Sequence, residues 1–307
     1  MEATDLMTVS KQNIEHSQNF LHNNSLVNLL INKSSICGND IVYEIGPGKG
    51  IITKNLAASC KKVIAIEYDN CMANNLKKRF ENVSNVEILC ANFLNYNIDG
   101  SIKHKFFSNI PFNITASIMA KVLNLEAIQD IYFIMQYEAF LKHSGTPYYQ
   151  DCLKSLIYKP FFEAKILHEF VPTDFTPVPK ARIIFAQFLP KAMTDISIRD
   201  TASYRDFLAF MFLEKGQMIK EKTKNVFSHE QLKRLAKSVE FSPSSTINEL
   251  TYQQWIDIFE VYQKYVSSEK KLLLKGAYNR LINEQGKLDK MHRNRNRKGG
   301  LLRSGKR

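Results

Sequence analysis

The run DIVYEIGPGKG, residues 40–50, decides the architecture. Its first six residues are largely apolar or β-branched, show no helical period and stop at Gly46, as a strand buried on both faces does. Gly46, Gly48 and Gly50 then allow a tight turn and let a ligand lie against bare backbone, with a helix N-terminus expected to follow. The third glycine falls one place earlier than in the dinucleotide fingerprint, and the Gly-Lys-Ser/Thr ending of an ATPase loop is missing. By itself the loop reads either as a ligand cradle or as a structural turn.

Working outward, VIAIE (63–67), VEILC (86–90), HKFFSNI (104–110) and DIYFIMQ (130–136) read as four more strands. Helical spacing over 26–36, 51–58, 69–80 and 117–123 separates most of them, which predicts βαβ units and a parallel sheet with covered faces. Two further strands are expected around 164–171 and 182–189, making seven. After Pro190 apolar residues recur at three- and four-residue spacing over 203–215, 228–238 and 251–264, the pattern of a small helical domain. The expected organisation is a flexible leader (1–15), an α/β Rossmann-like domain (16–190), a helical domain (191–286) and a disordered basic tail (287–307).

Charge sharpens that division. The 307 residues carry 42 Lys+Arg against 30 Asp+Glu, a net +12. Nine basic residues from Lys287 to Arg307, against Asp289 alone, put +8 in the tail and leave +4 for the other 286 residues. The tail lacks the apolar surface needed to offset ordering, and flexible basic arms bind phosphate backbones, although a purely solubilising tail has the same composition. The N-terminal stretch lacks the apolar core of a secretory signal, and no run approaches the ~20 apolar residues of a membrane span. Cys37, Cys60, Cys71, Cys90 and Cys152 are scattered without a Cys-x-x-Cys pair, so neither a disulfide framework nor a metal site is expected. Reduced thiols fit a cytoplasmic protein.

The strand ends carry the chemistry. Glu67 closes the second strand, where an acid can accept hydrogen bonds from both hydroxyls of an unphosphorylated ribose; Asn92, just past the third, can meet an adenine edge. The loop suits S-adenosylmethionine better than NAD. Asn109-Ile110-Pro111-Phe112 ends the fourth strand. An exocyclic amine is neutral and a poor nucleophile because its lone pair is delocalised into the ring. The Asn109 side-chain carbonyl and the Ile110 backbone carbonyl can both accept its N–H groups, favouring a pyramidal nitrogen with its lone pair aimed at a methyl donor. Pro111 fixes the backbone and brings no competing N–H, and Phe112 offers a face for an extruded base.

These motifs, with Ser17-Gln18-Asn19-Phe20-Leu21 before them and Phe175-Thr-Pro-Val-Pro-Lys180 after, resemble the Erm family of 23S rRNA adenine-N6 methyltransferases over about residues 15–265. The resemblance implies a class I S-adenosylmethionine-dependent methyltransferase sheet with a helical domain. It implies that one adenine of 23S rRNA, free or in precursor particles, is mono- or dimethylated by a monomer, giving resistance to macrolides, lincosamides and streptogramin B. By the same resemblance, Asn19 and Leu21 contact the cofactor, Gly46 lies beside its methionine part, Glu67 holds the ribose, and Asn92 and Phe93 hold the adenine. Asn109, which also borders the cofactor, orients the target amine, while Phe112 and Phe175 stack on the target base. Three positions depart from the family pattern: Asn92 stands where Asp is usual, Phe112 where Tyr is commoner, and Ala181-Arg182 where a Val-Asp/Asn pair is usual. Asn92 retains a carbonyl that can accept from the adenine amino group.

Three rivals stay open at this point: a small-subunit rRNA dimethyladenosine transferase, whose motif usually reads Asn-Leu-Pro-Tyr, a non-catalytic RNA-binding factor on the same fold, and a DNA adenine methyltransferase. For the tail, deletion of Lys287–Arg307 is expected to weaken RNA binding and to flatten its dependence on salt, because fewer counterions are released. Binding isotherms at several salt concentrations check this; unchanged affinity throughout would leave the tail a solubilising role only.

Overall fold

Val42, Tyr43, Glu44 and Ile45 are all buried, so the strand they belong to, β2 (Ile41–Ile45), has no solvent-facing side and lies inside the sheet. In the computed structural model, which describes residues 19–284, β2 runs parallel to β3 (Lys62–Glu67) on one side and β5 (His104–Asn109) on the other. Seven strands lie side by side in the order β4 (Val86–Cys90), β3, β2, β5, β6 (Ile128–Gln136), β9 (Ile183–Pro190) and β7 (Phe162–Glu169). The expected parallel arrangement holds from β4 to β6. β9 runs antiparallel to both of its neighbours. The reason is local: β7 and β9 are adjacent and joined without a crossover helix, and adjacent parallel strands need one.

Helices α2 (Ile51–Ala57), α3 (Asn70–Arg79) and α4 (Thr115–Val122) follow β2, β3 and β5, and α5 (Tyr137–Ser144) follows β6. Short polar side chains start the helices where hydrogen-bonding logic places them. Asn23 accepts from the N–H groups of Ser25 and Leu26 ahead of α1 (Asn24–Asn32), and Asp69 accepts from Met72 at the head of α3. One pairing was not expected from the sequence: β1 (Phe20–Leu21) lies antiparallel to β8 (Phe175–Thr176) as a separate two-stranded ribbon. Each strand has only two residues, too few to show a period.

Two compact units result. The first comprises the described residues up to Ser144 with Phe161–Ala192, and the second comprises Gly145–Pro160 with the described residues from Met193 onward. The sequence-based boundary at 190 therefore misplaces Gly145–Pro160. Helix α6 (Leu153–Tyr158) packs with the second unit because Tyr204 donates to the Leu156 carbonyl at 3.1 Å, and Lys159 pairs with Asp151 at 3.0 Å while lying 4.8 Å from the Tyr252 ring centroid. The core of that unit is aromatic. α7 (Thr201–Leu213) and α10 (Tyr252–Tyr265) bury Tyr204, Phe207, Trp255, Phe259 and Tyr262, with Phe207 and Tyr262 ring centroids 5.0 Å apart. Three shorter helices complete it: α8 (Ile219–Thr223), α9 (His229–Ser238) and α11 (Ser268–Leu274), followed by a helical stretch over 277–284. Asp206 accepts from the N–H groups of Gly276 (2.7 Å) and Tyr278 (3.0 Å), capping that stretch. Among the described residues no helix is long and apolar enough to cross a membrane. The leader (1–15) and the basic tail (287–307) lie outside the described residues.

The β2–β5 contact joins the two halves of the sheet, and it is short: only Val42↔Lys105 and Tyr43↔Phe106 are in register. Side chains hold its two ends. Below, Lys105 Nζ lies 2.8 Å from Asp40 Oδ2 and donates to the Ser35 carbonyl at 2.7 Å. Above, where the strands diverge, the buried Ser108 hydroxyl oxygen accepts the Ile45 N–H at 2.8 Å. The Asp40 and Lys105 side chains are only 8% and 9% exposed, so removing one strands the other's charge. Lys105→Met is expected to cost about 3–5 kcal/mol. The Asp40→Asn/Lys105→Met double variant should recover most of it. Urea unfolding of the three proteins checks this, and equal losses in single and double variants would contradict it.

Candidate active site

Strand order reverses between β2 and β5, where β3 and β4 extend to one side and β6 to the other. Open α/β sheets bind ligands in the crevice outside the carboxyl ends of the strands at such a point. Here the crevice is a cleft of about 500 Å³, including its open mouth. Three segments distant in sequence line it: Asn19–Leu21, the loop after β2 at Gly46 and Pro47, and Asn109 to Phe112.

The loop Gly46–Gly50 turns from β2 into α2. At Gly48 φ is +57°, and an added Cβ would lie 2.6 Å from Phe20 Cε1. Only glycine suits both the backbone and the space. The half-buried Phe20 ring thus rests on the loop, and Lys49 Nζ lies 5.3 Å from its centroid. Beneath the loop sits Glu67, 3% exposed, at the end of β3. Its Oε2 accepts from Gly48 N–H at 3.3 Å and its Oε1 from Asp69 N–H at 3.0 Å. Burial raises its pKa, and these backbone donors pull the other way.

Asn109 ends β5. Its Nδ2 donates to the Asn19 carbonyl at 2.7 Å, and Asn19 Nδ2 in turn donates to the Pro177 carbonyl at 2.6 Å. The amide of Asn109 is thereby oriented, its nitrogen committed and its oxygen left as the acceptor. Ile110 is 1% exposed and donates its N–H to Ile134 at 3.1 Å, which keeps the motif in line with β6. Pro111 has φ −61°, and its side chain is the nearest group, at 3.6 Å, to a Cβ placed on Gly46. Phe112 is half-buried.

The remaining expected residues lie apart from this cleft. Asn92 and Phe93 occupy the turn after β4, and Glu67 reaches the loop only through Gly48. The Asn92 Oδ1 accepts the Leu94 N–H at 2.9 Å, which turns that oxygen toward the loop backbone and Nδ2, a donor, away from it, while the oxygen keeps a second lone pair. Phe175 is 1% exposed, edge-on to Phe170 at 5.1 Å, and paired with Leu21 in the β1–β8 ribbon. It has no open face, so stacking on a base requires that ribbon to shift. Leu21 is buried but still borders the cleft.

Glu44 also lines the cleft, a role the sequence reading did not assign. It is 1% exposed, and its Oε2 accepts from Thr53 Oγ1 at 2.6 Å. Desolvation raises its pKa to about 8, with the nearby Glu67 charge adding to the shift. A lone acid in an otherwise apolar strand, two residues before the first glycine, was a signal in the sequence.

A family model described as ribosomal RNA adenine dimethylase matches residues 9–264. The chain belongs to that family. Similar proteins include an rRNA adenine N-6-methyltransferase of Bacillus anthracis, 27% identical over 264 residues that cover 82% of this chain and 88% of that one. They also include a ribosomal RNA small subunit methyltransferase A of Buchnera aphidicola subsp. Baizongia pistaciae, 27% identical over 227 residues, 71% of this chain and 85% of that one. Among solved structures, the 23S rRNA methyltransferase ErmE aligns with a TM-score of 0.71 at 21% identity, over 80% of this chain and all of that one. A dimethyladenosine transferase from Plasmodium falciparum aligns with a TM-score of 0.63 at 20% identity, over 80% and 98%. At these identities the structures establish a shared class I methyltransferase fold. This ribosomal RNA adenine dimethylase family member is an rRNA adenine-N6-methyltransferase, and its cofactor is S-adenosylmethionine. The residues present suit that cofactor: bare glycine backbone at the switch point, a buried carboxylate at the end of β3, and an amide donor after β4.

Glu44 generates a pH prediction. Folded, it keeps its proton up to about pH 8; unfolded, it loses it near 4.5. Between those values the folded state binds more protons, so this residue's contribution to stability falls as pH rises. Glu44→Gln removes that dependence. The melting temperature of the variant relative to wild type should therefore climb from pH 5 to pH 8; a constant difference would show that Glu44 is ionised when buried.

Proposed function

We propose that this methyltransferase modifies N6 of one adenine in 23S rRNA, free or in precursor particles, and so protects the ribosome from macrolides, lincosamides and streptogramin B. We further propose that it acts as a monomer in the cytoplasm. The observation that carries the chemistry is the 2.7 Å bond from Asn109 Nδ2 to the Asn19 carbonyl. An amide can present either end, and this bond turns the oxygen toward the substrate. With Oδ1 of Asn109 and the Ile110 carbonyl accepting the two N–H bonds of the amine, the nitrogen lone pair is freed from the ring. Pro111 offers no N–H to compete for those carbonyls. Phe112 stacks on the base once it has left the helix.

In this reading Gly46 lies against the methionine part of the cofactor, with Asn19 and Leu21 closing from the N-terminal segment and Asn109 at the border. Glu67 accepts from the ribose hydroxyls, and Asn92 and Phe93 hold the adenine. When bound, S-adenosylmethionine would supply an electrophilic methyl on a sulfonium sulfur, which would keep the C–S bonding electrons as the N–C bond formed. The methylated, positively charged nitrogen would be acidic enough to pass one proton to water, so no strong base is needed, and the contribution of this chain's residues is chiefly positioning.

Ile110, in place of the leucine usual in small-subunit enzymes, supports the 23S target. The likeness to the Buchnera small-subunit enzyme supports the second reading, a 16S dimethyladenosine transferase. Primer extension on both rRNAs from cells expressing the protein separates them: the expected result is a stop on 23S alone, with raised macrolide tolerance. A stop only on 16S would replace the first reading with the second. Asn109→Ala should remove the stop and slow transfer by about 10²-fold or more, while retaining most cofactor affinity. Normal transfer by that variant would show the amine is oriented elsewhere.

A further inference from the structure

The Asn92 turn is shaped by a residue outside it. Lys121, on α4, donates from Nζ to the carbonyls of Phe93 (2.5 Å), Leu94 (3.2 Å) and Tyr96, and lies 4.8 Å from the Phe93 ring centroid. Among the described residues no carboxylate is ion-paired with it. The ammonium has exchanged water for three fixed carbonyl dipoles and an aromatic face, a cation cage built from one loop. Apart from the buried Phe93 ring, edge-on to Phe106 at 6.1 Å, the loop has little else to define it. Its own backbone bonds are those of a single 3₁₀ turn: Asn95 and Tyr96 N–H to the Asn92 carbonyl, both at 3.0 Å, and Tyr96 N–H to Phe93 at 3.2 Å. Within the turn, the Leu94 N–H fixes which end of the Asn92 amide faces outward.

We propose that Lys121 is a positioning residue: by gripping the carbonyls of Phe93, Leu94 and Tyr96 it holds the turn in the shape that aims the Asn92 amide nitrogen at a ring nitrogen of the cofactor's adenine. It thereby sets discrimination for adenine. The proposal rests on the reading of Asn92 and Phe93 as the adenine site. An outward donor matches N1 of adenine, an acceptor, and opposes N1 of hypoxanthine, which carries a hydrogen. A loosened turn loses that distinction while the ribose and methionine contacts remain.

The test uses the full chain and two probes, S-adenosylhomocysteine and S-inosylhomocysteine, titrated calorimetrically. Wild type should favour the adenosyl compound by about tenfold or more, the factor that one well-placed hydrogen bond can carry. In Lys121→Met the adenosyl affinity should fall about tenfold and the inosyl affinity much less, so that discrimination collapses toward one. KM for S-adenosylmethionine should rise by a similar factor, with kcat moving less than about threefold. Lys121→Arg, which keeps the charge and several donors, should recover most of the discrimination. If Lys121→Met does not fold, Lys121→Gln should show a graded loss of the same kind. An equal loss for both probes, or wild-type discrimination in the variants, overturns the proposal. Asn92→Ala separates the two levels: unchanged discrimination there means that the turn is not the adenine site, and the underlying reading fails with it.

Discussion

An asparagine amide is nearly symmetric in shape and opposite in chemistry at its two ends. In the reaction proposed for this site, the outcome turns on which end of Asn109 faces the substrate. The side chain cannot decide that alone. The Asn19 carbonyl decides it by accepting Nδ2, and Asn19 is held by its own amide on Pro177 and by the β1–β8 ribbon. The site is therefore tied across three distant segments: a strand end from the sheet, a short strand near the N-terminal end of the described chain, and the loop between β7 and β9. Each bond is of ordinary strength, about 1 kcal/mol net. Their value lies in orientation, since a reversed amide would present a donor where the reaction needs an acceptor.

Two buried carboxylates lie at and beneath the same crevice, Glu44 in its lining and Glu67 under the glycine loop. Glu44 and Glu67 end up 1% and 3% exposed in adjacent strands, and burial raises the pKa of both. Apolar side chains there would stabilise the fold better. What the acids supply is directional acceptance: Glu67 takes the Gly48 and Asp69 N–H groups, and Glu44 takes the Thr53 hydroxyl. The glycine loop is thus defined by the carboxylate lying below it and by the Phe20 ring resting on it. The Ser108 hydroxyl serves a similar end between β2 and β5, satisfying the Ile45 N–H where the strands separate to form the crevice.

Much of this was legible in the sequence. Seven strands, the glycine loop after β2, and an ordered series of chemistry-bearing residues at strand ends follow from periodicity and turn chemistry, because buried parallel strands are continuous apolar runs and loops need glycine. What escaped has physical causes. β1 and β8 have two residues each, below any period. The antiparallel β9 follows from connectivity, which composition does not encode. Gly145–Pro160 belongs to the second unit through contacts such as Tyr204 to Leu156, formed across 48 residues of sequence. Phe175 looks like a stacking aromatic in its motif and sits in the core because its ribbon partner is Leu21. The orientation of the Asn92 amide was not legible either, since it depends on the Leu94 N–H.

The donors that shape the loops around the site share a task. At the carboxyl edge of the sheet the chain leaves regular structure, and loop carbonyls no longer have a ladder or a helix to pair with. Here they are met by long donors reaching in from other elements: Asn109 to Asn19, Asn19 to Pro177, Lys121 to the Asn92 turn, and Arg79 to Lys49 in the glycine loop. Such a donor needs only reach and hydrogens, so amide, ammonium and guanidinium all serve, and Lys121 and Arg79 left no period or spacing in the sequence. A solvent-exposed carbonyl would be satisfied by water without any of them. Their presence indicates that shape, beyond mere satisfaction, is what these loops require, and in the proposed mechanism that shape takes the place of a strong base.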